Sequence, residues 1–333
     1  MRYEEAGVNI KAKAEALRRA REAIAATYTP EVLRGLGAFG GLWDARALKG
    51  MGHPVLVATT DGVGTKTLLA LEAGDVSGLG HDLVNHSVND LLCQGATPLF
   101  FLDYLAASRL EEGVLAALLT SLAEACRAHG IPLLGGETAE MPGVYREGAW
   151  DVAGTLVGVV EREEVLGPER VQAYDVLLAL PSSGPHTNGY SLIRKVVAGR
   201  DLETQVPELG ESLKAALLRP HRAYLREFLR LKEAGVEIHA IAHITGGGLE
   251  ENLPRALPQG LGAEVRRGSW PVPPVFPYLQ RLGEIPEEEM YRVFNMGLGL
   301  ILVLPEREGE RAQALVESFP IGRVVPGAGV KWV

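Results

Sequence analysis

Residues 54–66 read Pro-Val-Leu-Val-Ala-Thr-Thr-Asp-Gly-Val-Gly-Thr-Lys. Pro54 to Thr60 is a short, continuous apolar run rich in β-branched residues, which predicts a buried strand. It stops at Asp61-Gly62-Val63-Gly64-Thr65-Lys66, where glycine disfavours further strand and favours a turn. Strand, polar glycine loop and helix in that order make the repeating unit of an α/β layer. The loop then falls at the strand's C-terminal end, the usual ligand edge of such layers.

The same unit recurs outward in both directions. Upstream, Lys11 to Ala26 predicts an alanine-rich helix with Leu17 and Ile24 facing inward and Asn9 as a cap, followed by the loop Gly35-Leu-Gly-Ala-Phe-Gly-Gly41. Downstream, residues 80–93 predict a helix closed by Gly95, and Pro98 to Leu105 a buried strand. Ser108-x-x-Glu111 reads as a capping box ahead of a helix whose Leu115, Leu118, Leu119, Leu122 and Cys126 recur at helical spacing. Strands follow into Gly135-Gly-Glu-Thr138 and over residues 151–160, and Phe100, Phe101, Leu118 and Leu122 are expected in the core.

The polar segment 161–168 is taken as the boundary, giving a domain over residues 1–168 and another over 169–333. In the second, a strand over 175–180 runs into Ser182-Ser-Gly-Pro-His-Thr-Asn-Gly-Tyr-Ser191. Pro220 splits the helical material between Glu211 and Ala234. A strand over 237–244 meets Thr245-Gly-Gly-Gly248, and late strands over 294–305 and 322–325 flank a helix over 310–318. The predicted fold class is α/β, as two α/β domains.

Composition bounds the function. A length of 333 residues suits about two domains, and a net charge of -9 is the wrong sign for a surface that grips nucleic acid. The 2 cysteines form no metal or redox pattern, no signal-like core opens the chain and no run of ~18 apolar residues occurs, so a reduced cytoplasmic protein without membrane contact is expected. Average usage of ~7% would give roughly 23 glycines, and the chain has 40. The surplus concentrates in the loops at strand ends.

Those loops carry the candidate chemistry. Asp61 to Lys66 is no Walker loop, yet glycines let backbone N–H groups approach phosphate, Lys66 adds a charge and Asp61 suits a divalent ion. A plain turn capped by Asp61 would read the same. On the helix after Gly80, Asp82, His86, Asn89 and Asp90 share a face whose short side chains suit oxygen ligation better than a solvated lysine-glutamate face would. Glu137 is a third carboxylate near a strand end. Together Asp61, Asp90 and Glu137 suggest a site for Mg²⁺ and a nucleotide polyphosphate. Ser182 to Ser191 and His243-Ile-Thr-Gly-Gly-Gly248 look like anion nests before helix starts. Asn295-Met-Gly-Leu-Gly299 reads as structural, because alternating glycines in a strand often only permit close packing.

At these segments the chain resembles the phosphoribosylformylglycinamidine cyclo-ligases, or aminoimidazole ribonucleotide synthetases. The resemblance runs from Tyr3-Glu-Glu-Ala-Gly-Val-Asn9 through Gly37-Ala-Phe-Gly40, Asp61 to Lys66, Val88-Asn-Asp90, Pro98 to Tyr104 and Gly135-Gly-Glu-Thr-Ala-Glu-Met-Pro-Gly143. It continues through Ser182-Ser-Gly-Pro-His186, Asn188-Gly-Tyr-Ser191, His243 to Gly248, Glu251-Asn-Leu-Pro254 and Phe294-Asn295.

The resemblance implies that ATP phosphorylates the formyl oxygen of formylglycinamidine ribonucleotide, after which an internal nitrogen closes the ring. It further implies an N-terminal half that pairs with a second copy into a β-barrel, a fold unrelated to ATP-grasp, and a cleft between the halves. By the same resemblance Asp61, Asp90 and Glu137 hold Mg²⁺. Gly62, Val63, Gly64, Thr65, Lys66 and Asn89 lie with Asp61 and Asp90 near ATP. Ser183, Gly184, Thr187, Thr245, Gly246, Gly247 and Gly248 face substrate, and His186, Asn188 and His243 are the catalytic candidates, while a K⁺ requirement stays open. Ala25 to Thr29 lacks the basic residues relatives carry there, and His81 and His86 stand at positions that are mostly apolar in relatives.

Three rival readings share such a site. Selenophosphate synthetases normally carry a reactive cysteine or selenocysteine in the N-terminal glycine segment, and residues 1–41 contain no cysteine. Formylglycinamidine ribonucleotide synthase is generally much longer in its large form. A non-catalytic nucleotide-binding scaffold predicts a degraded carboxylate set or a missing substrate loop, whereas Asp61, Asp90, Glu137 and His186 are all present.

Overall fold

In the computed structural model, which describes residues 10–333, the run opening at Pro54 continues as a strand through Asp61 and Gly62. Every second residue of it is exposed, and Leu56 is 63% accessible. The predicted buried strand is therefore an edge strand covered on one face, because apolar runs alone do not reveal which neighbours a strand acquires.

The chain divides into two units, one spanning the described residues to Leu91 with Thr97–Glu163, the other Leu92–Ala96 with Glu164–Val333. The first contains α1 (Ile10–Ala25), β1 (Val32–Arg34), β2 (Leu42–Trp43), β3 (Pro54–Gly62), α2 (Lys66–Glu72), α3 (Leu79–Leu92), β4 (Thr97–Ala107), α4 (Glu112–Ala128), β5 (Leu133–Glu140) and β6 (Trp150–Glu161). Its main sheet runs β3-β6-β4-β5, with β4 and β5 the parallel pair and the other neighbours antiparallel. On β6, Trp150, Val152, Gly154 and Leu156 are buried and Asp151, Ala153, Thr155 and Val157 half-buried, the period of two that separates the faces. Ala12, Ala16, Ala20 and Ile24 form the buried stripe of α1, which packs on α4. Leu17, expected inside, is only half-buried, since short alanines permit the closer approach. The proposed cap Asn9 lies outside the described residues. Phe101, Leu118 and Leu122 are core, whereas Phe100 points to the sheet's other face and is half-buried.

The predicted capping box is absent: α4 begins after Glu111, which makes no side-chain cap, and Leu110 N–H instead donates to Glu140 Oε1 at 2.7 Å. A carboxylate from the neighbouring strand takes the place of the local one.

The second unit holds β7 (Val176–Pro181), α5 (Tyr190–Val196), β8 (Gln205–Val206), β9 (Glu211–Ser212), α6 (Leu213–Leu218), α7 (Leu225–Glu233), β10 (Ala240–His243), α8 (Gly248–Asn252), β11 (Leu261–Val265), α9 (Val275–Gly283), α10 (Glu287–Val293), β12 (Leu298–Leu304), α11 (Gly309–Leu315), β13 (Phe319–Pro326) and β14 (Val330–Trp332). Its sheet runs β10-β12-β7-β13-β11-β14, antiparallel except between β11 and β14. All of β12 is buried, and Leu177, Ala179, Ile301, Val303, Ile321 and Val324 meet Leu253 and Trp270 in one core. The class is mixed α and β, but the strand-loop-helix reading does not produce parallel layers. Neighbouring strands in both sheets are antiparallel except at β4-β5 and β11-β14, a choice that local patterning leaves open.

Candidate functional site

In the first unit α3 turns its polar face inward. His86 is 5% accessible, and its Nε2 lies 2.7 Å from Asp61 Oδ2 on β3 and 3.6 Å from Asp90 Oδ2 one turn along. Burial disfavours the imidazolium, yet the hydrogen bond to Asp61 and the charges of Asp90, Asp61 and Asp82 outweigh it and hold His86 above the usual histidine range. Asp61 and Asp90 thus converge on one point, and both reach the surface, with side chains 40% and 31% accessible. Two carboxylates that converge on one imidazole nitrogen are a hard-oxygen donor set that fits Mg²⁺.

The other residues read into this site are placed differently. Lys66 is fully buried and paired with Asp82, itself fully buried, at 2.8 Å. Burial pulls its ammonium below the usual lysine range even with Asp82 beside it. It therefore offers no charge at the loop surface. Val63 is core, and its N–H donates to Val152 O. Asn89 is buried. Asp61 Oδ1 accepts from Gly62 N–H at 2.6 Å, the local Asx contact, while Gly64 is exposed with φ +67°.

Glu137 does not join the carboxylates. It sits inside β5, and Gly62, Ala153, Tyr104 and Glu137 lie in register across the sheet. Three strand spacings separate Glu137 from β3, roughly 14 Å, too far for one ion within one chain. Its carboxylate is 64% accessible and pairs with Lys13 at 3.1 Å.

Glu137 instead edges a cavity of about 810 Å³ between the glycine loop 35–41 and the sheet, lined by Trp43, Phe100, Leu102, Asp103 and Val157 among others. Tyr28 Oη accepts from Leu36 N–H, so the segment lacking basic residues holds this loop. Asp103 escaped the sequence reading, although a carboxyl within the apolar run 99–105 was a visible signal. Burial pushes it up to about 7, with the charge of Glu137 adding.

In the second unit the two glycine loops come together. A Cβ on Gly246 would lie 3.6 Å from Asn188 Oδ1, and Asn188 Nδ2 is a buried donor without a partner among the described residues. Several predicted substrate groups serve the loops themselves. Ser183 Oγ donates to Pro220 O at 2.7 Å, and Thr245 Oγ1 lies 3.2 Å from Asn252 Oδ1. Asn252 Nδ2 donates to Gly246 O and Gly248 O. Gly248 has φ +60°, and a Cβ there would fall 2.0 Å from Tyr291 O, so no other residue fits. The helices after the loops, α5 and α8, have 7 and 5 residues, which leaves a smaller dipole than longer helices would give.

His186, at φ +59°, accepts from Ser183 N–H through Nε2 at 3.2 Å. Its ring stacks on that of His221, with centroids 3.8 Å apart and planes at 22°. His221 Nε2 is 3.0 Å from His243 Nε2. His186, His221 and His243 are 0%, 1% and 5% accessible, so two predicted catalytic histidines join through a third, unpredicted one. His221 follows the helix-breaking Pro220, and nothing local marks it.

Residues 44–160 match the family model described as AIR synthase related protein, N-terminal domain, and residues 172–333 the C-terminal domain of the same description. The chain is 48% identical to the phosphoribosylformylglycinamidine cyclo-ligase of Desulfitobacterium hafniense, over 97% of this chain and 96% of that one. It is 48% identical to the protein of that name from Gloeobacter violaceus, over 100% of both. Among solved structures it is similar to thiamine-monophosphate kinase from Stenotrophomonas maltophilia, with TM-score 0.67 and 23% identity over 95% of each chain. It is also similar to HypE, a hydrogenase maturation protein of E. coli, with TM-score 0.68 and 17% identity over 96% and 93%. At these identities the likeness is one of fold.

Proposed function

The chain belongs to the AIR synthase related family, among the phosphoribosylformylglycinamidine cyclo-ligases, and from that premise we propose how its residues divide the work of this ATP-dependent C–N bond formation in purine biosynthesis. In the reaction ATP phosphorylates the formyl oxygen of formylglycinamidine ribonucleotide. An internal nitrogen then attacks that carbon, phosphate leaves, and 5-aminoimidazole ribonucleotide forms with ADP.

Residues 1–168 take ATP and residues 169–333 the ribonucleotide. The observation that carries this reading is the convergence of Asp61 and Asp90 on one point, at 2.7 and 3.6 Å from the same histidine nitrogen. Bound there, Mg²⁺ would neutralise phosphate charge. Gly62, Gly64 and Thr65 lie beside those carboxylates, and Glu137 and the apolar cavity are suited to an organic part of a nucleotide. A structure of the hydrogenase maturation protein HypE in complex with ATP, at TM-score 0.67, agrees with nucleotide binding by this fold.

In the second unit Gly184, Thr187, Gly246 and Gly247 present backbone and hydroxyl groups to the substrate. Asn188 offers its unpaired donor to a substrate oxygen, and His243 moves a proton. His186 keeps a narrower part, since its Nε2 lone pair already holds Ser183. Holding both ends of one substrate in contact supplies much of the acceleration. The protein works in the cytoplasm as a homodimer. Among the described residues no helix is long and apolar enough to cross a membrane.

The test is turnover. With formylglycinamidine ribonucleotide, ATP and Mg²⁺, purified protein is expected to form aminoimidazole ribonucleotide and ADP in equal amounts. ADP without ring product would overturn the assignment. Asp61→Asn combined with Asp90→Asn should abolish Mg²⁺-dependent ATP binding in calorimetry, and binding that survives both changes would remove the metal site.

A further inference from the structure

Arg194 lies within α5, the helix that follows the segment Ser182 to Gly189. Its Nε is a buried donor, and among the described residues no hydrogen bond, ion pair or aromatic ring meets its guanidinium. Buried donors are nearly always paired, and an unpaired cationic one is costly to the free protein. Nearby arginines of this unit are neutralised: Arg222 pairs with Glu227 at 2.8 Å and Arg219 with Glu211 at 2.5 Å. Arg194 as a whole is half-buried rather than sealed, so its charge is within reach of a ligand.

The helix directs that charge. Helical side chains lean towards the N-terminus, so the Arg194 stem runs back over the turn of Tyr190 and Ser191, towards the loop assigned to the substrate. Tyr190 and Ile193 anchor α5 in the core, the Tyr190 phenol donating to Leu217 O. Exposed Ser191 and Lys195 take the outer face, and Arg194 lies between the two. The loop itself is fixed. Gly189, at φ +77°, has no space for a side chain, since a Cβ there would fall 2.3 Å from Phe294 Cε1, and Asn295 bonds Ser182 and Gly184. A frame already held loses little freedom when a ligand arrives. With only 7 residues α5 supplies little dipole, so an anion at this end depends on a side-chain cation.

We propose that Arg194 binds the 5′-phosphate of the ribonucleotide and so sets which end of that substrate lies at α5. The inference rests on the ring-closing reaction above. The ribonucleotide carries one strong anion, its phosphate. Its ribose and formyl groups are neutral, and its amidine is a cation that an arginine repels. A guanidinium meets phosphate with two N–H groups side by side, and a contact through Nε and one Nη satisfies the atom that lacks a partner. The end that carries the amidine and formyl groups is thereby directed away from Arg194 and onto Asn188, whose Nδ2 also lacks a partner among the described residues.

The first measurement follows the Arg194 Nε–H signal in ¹H–¹⁵N spectra. Ribose 5-phosphate should move it downfield, and ribose should not. In the ring-forming assay Arg194→Met should raise KM for formylglycinamidine ribonucleotide about tenfold to a hundredfold with kcat nearly unchanged, as for a charged hydrogen bond made equally in ground and transition states. With the dephosphorylated ribonucleoside the same variant should match wild type, and Mg²⁺-ATP affinity should not change. Urea unfolding of the ligand-free variant should show no loss of stability, because no partner is stranded. Lys195→Met, the same charge change on the exposed face, should keep the wild-type KM. Arg194→Lys retains the charge but not the fork, so it should show a smaller loss, again on the ribonucleotide alone, and it carries the test if the methionine variant fails to fold. Equal losses with ribonucleotide and ribonucleoside, weaker ATP binding, an equal effect of Lys195→Met, a destabilised ligand-free variant or a still signal with ribose 5-phosphate would overturn the proposal. A moving signal in a protein that forms no ring product would instead overturn the reaction assigned above and leave the phosphate site standing.

Discussion

Lys66 and Asp82 show how far a single side chain can depart from its motif. In the loop Asp61 to Lys66 a terminal lysine suits a phosphate, yet its partner stands 16 residues away on α3 and both groups are fully buried at 2.8 Å. Local spacing cannot reveal such a pair, because it depends on how α2 and α3 pack. The convergence of Asp61 and Asp90 was legible, since each sits at the end of a readable element. His221 was not, having neither motif nor periodicity. Removing one member of a buried ion pair strands the other charge, so Lys66→Met should destabilise the protein by about 3–5 kcal/mol in urea unfolding. Lys66→Met with Asp82→Leu should recover most of that loss, because two well-packed apolar groups replace the pair. A single variant as stable as wild type would show that Asp82 is not left stranded.

At the level of elements, the glycine segments were legible as loops, but the groups that hold them were not. Asn295, read only as part of a close-packed strand, accepts from Ser182 Oγ at 3.0 Å and from Gly297 N–H at 2.9 Å. It also donates to Gly184 O at 2.9 Å. It pins the start of the segment that presents Asn188 and His186. Asn295→Ala leaves buried polar groups unpaired, which should lower stability by about 1–3 kcal/mol. It should also raise KM for the ribonucleotide while leaving Mg²⁺-ATP binding unchanged. Equal loss of ATP affinity would assign Asn295 a part in global folding instead. The longer strands were read near their positions, but β11 and β14 were missed, and pairing direction was not legible, because antiparallel and parallel neighbours draw on the same apolar runs.

For the molecule as a whole, the four-stranded sheet poses the remaining problem. One face is covered by helices, but on the other the row Ala58, Val157 and Phe100 crosses three strands, with Leu56 beside it at 63% accessibility and Phe39 fully exposed in the nearby loop. Among the described residues the outer strands β3 and β5 also leave two edges of this sheet unpaired. A second copy brought face to face would bury the apolar row and could pair both edges. Four strands from each copy make eight, a number at which side chains just fill a closed barrel. Light scattering should therefore give twice the chain mass for the wild type. Leu56→Glu combined with Val157→Glu should give a monomer with unchanged far-ultraviolet dichroism, since both side chains lie on the uncovered face and neither fills the core. A monomeric wild type, or a double variant that still dimerises, would mean that this face meets no second copy. Loss of ring-closing activity in a folded monomer would further tie the reaction to the pair of chains.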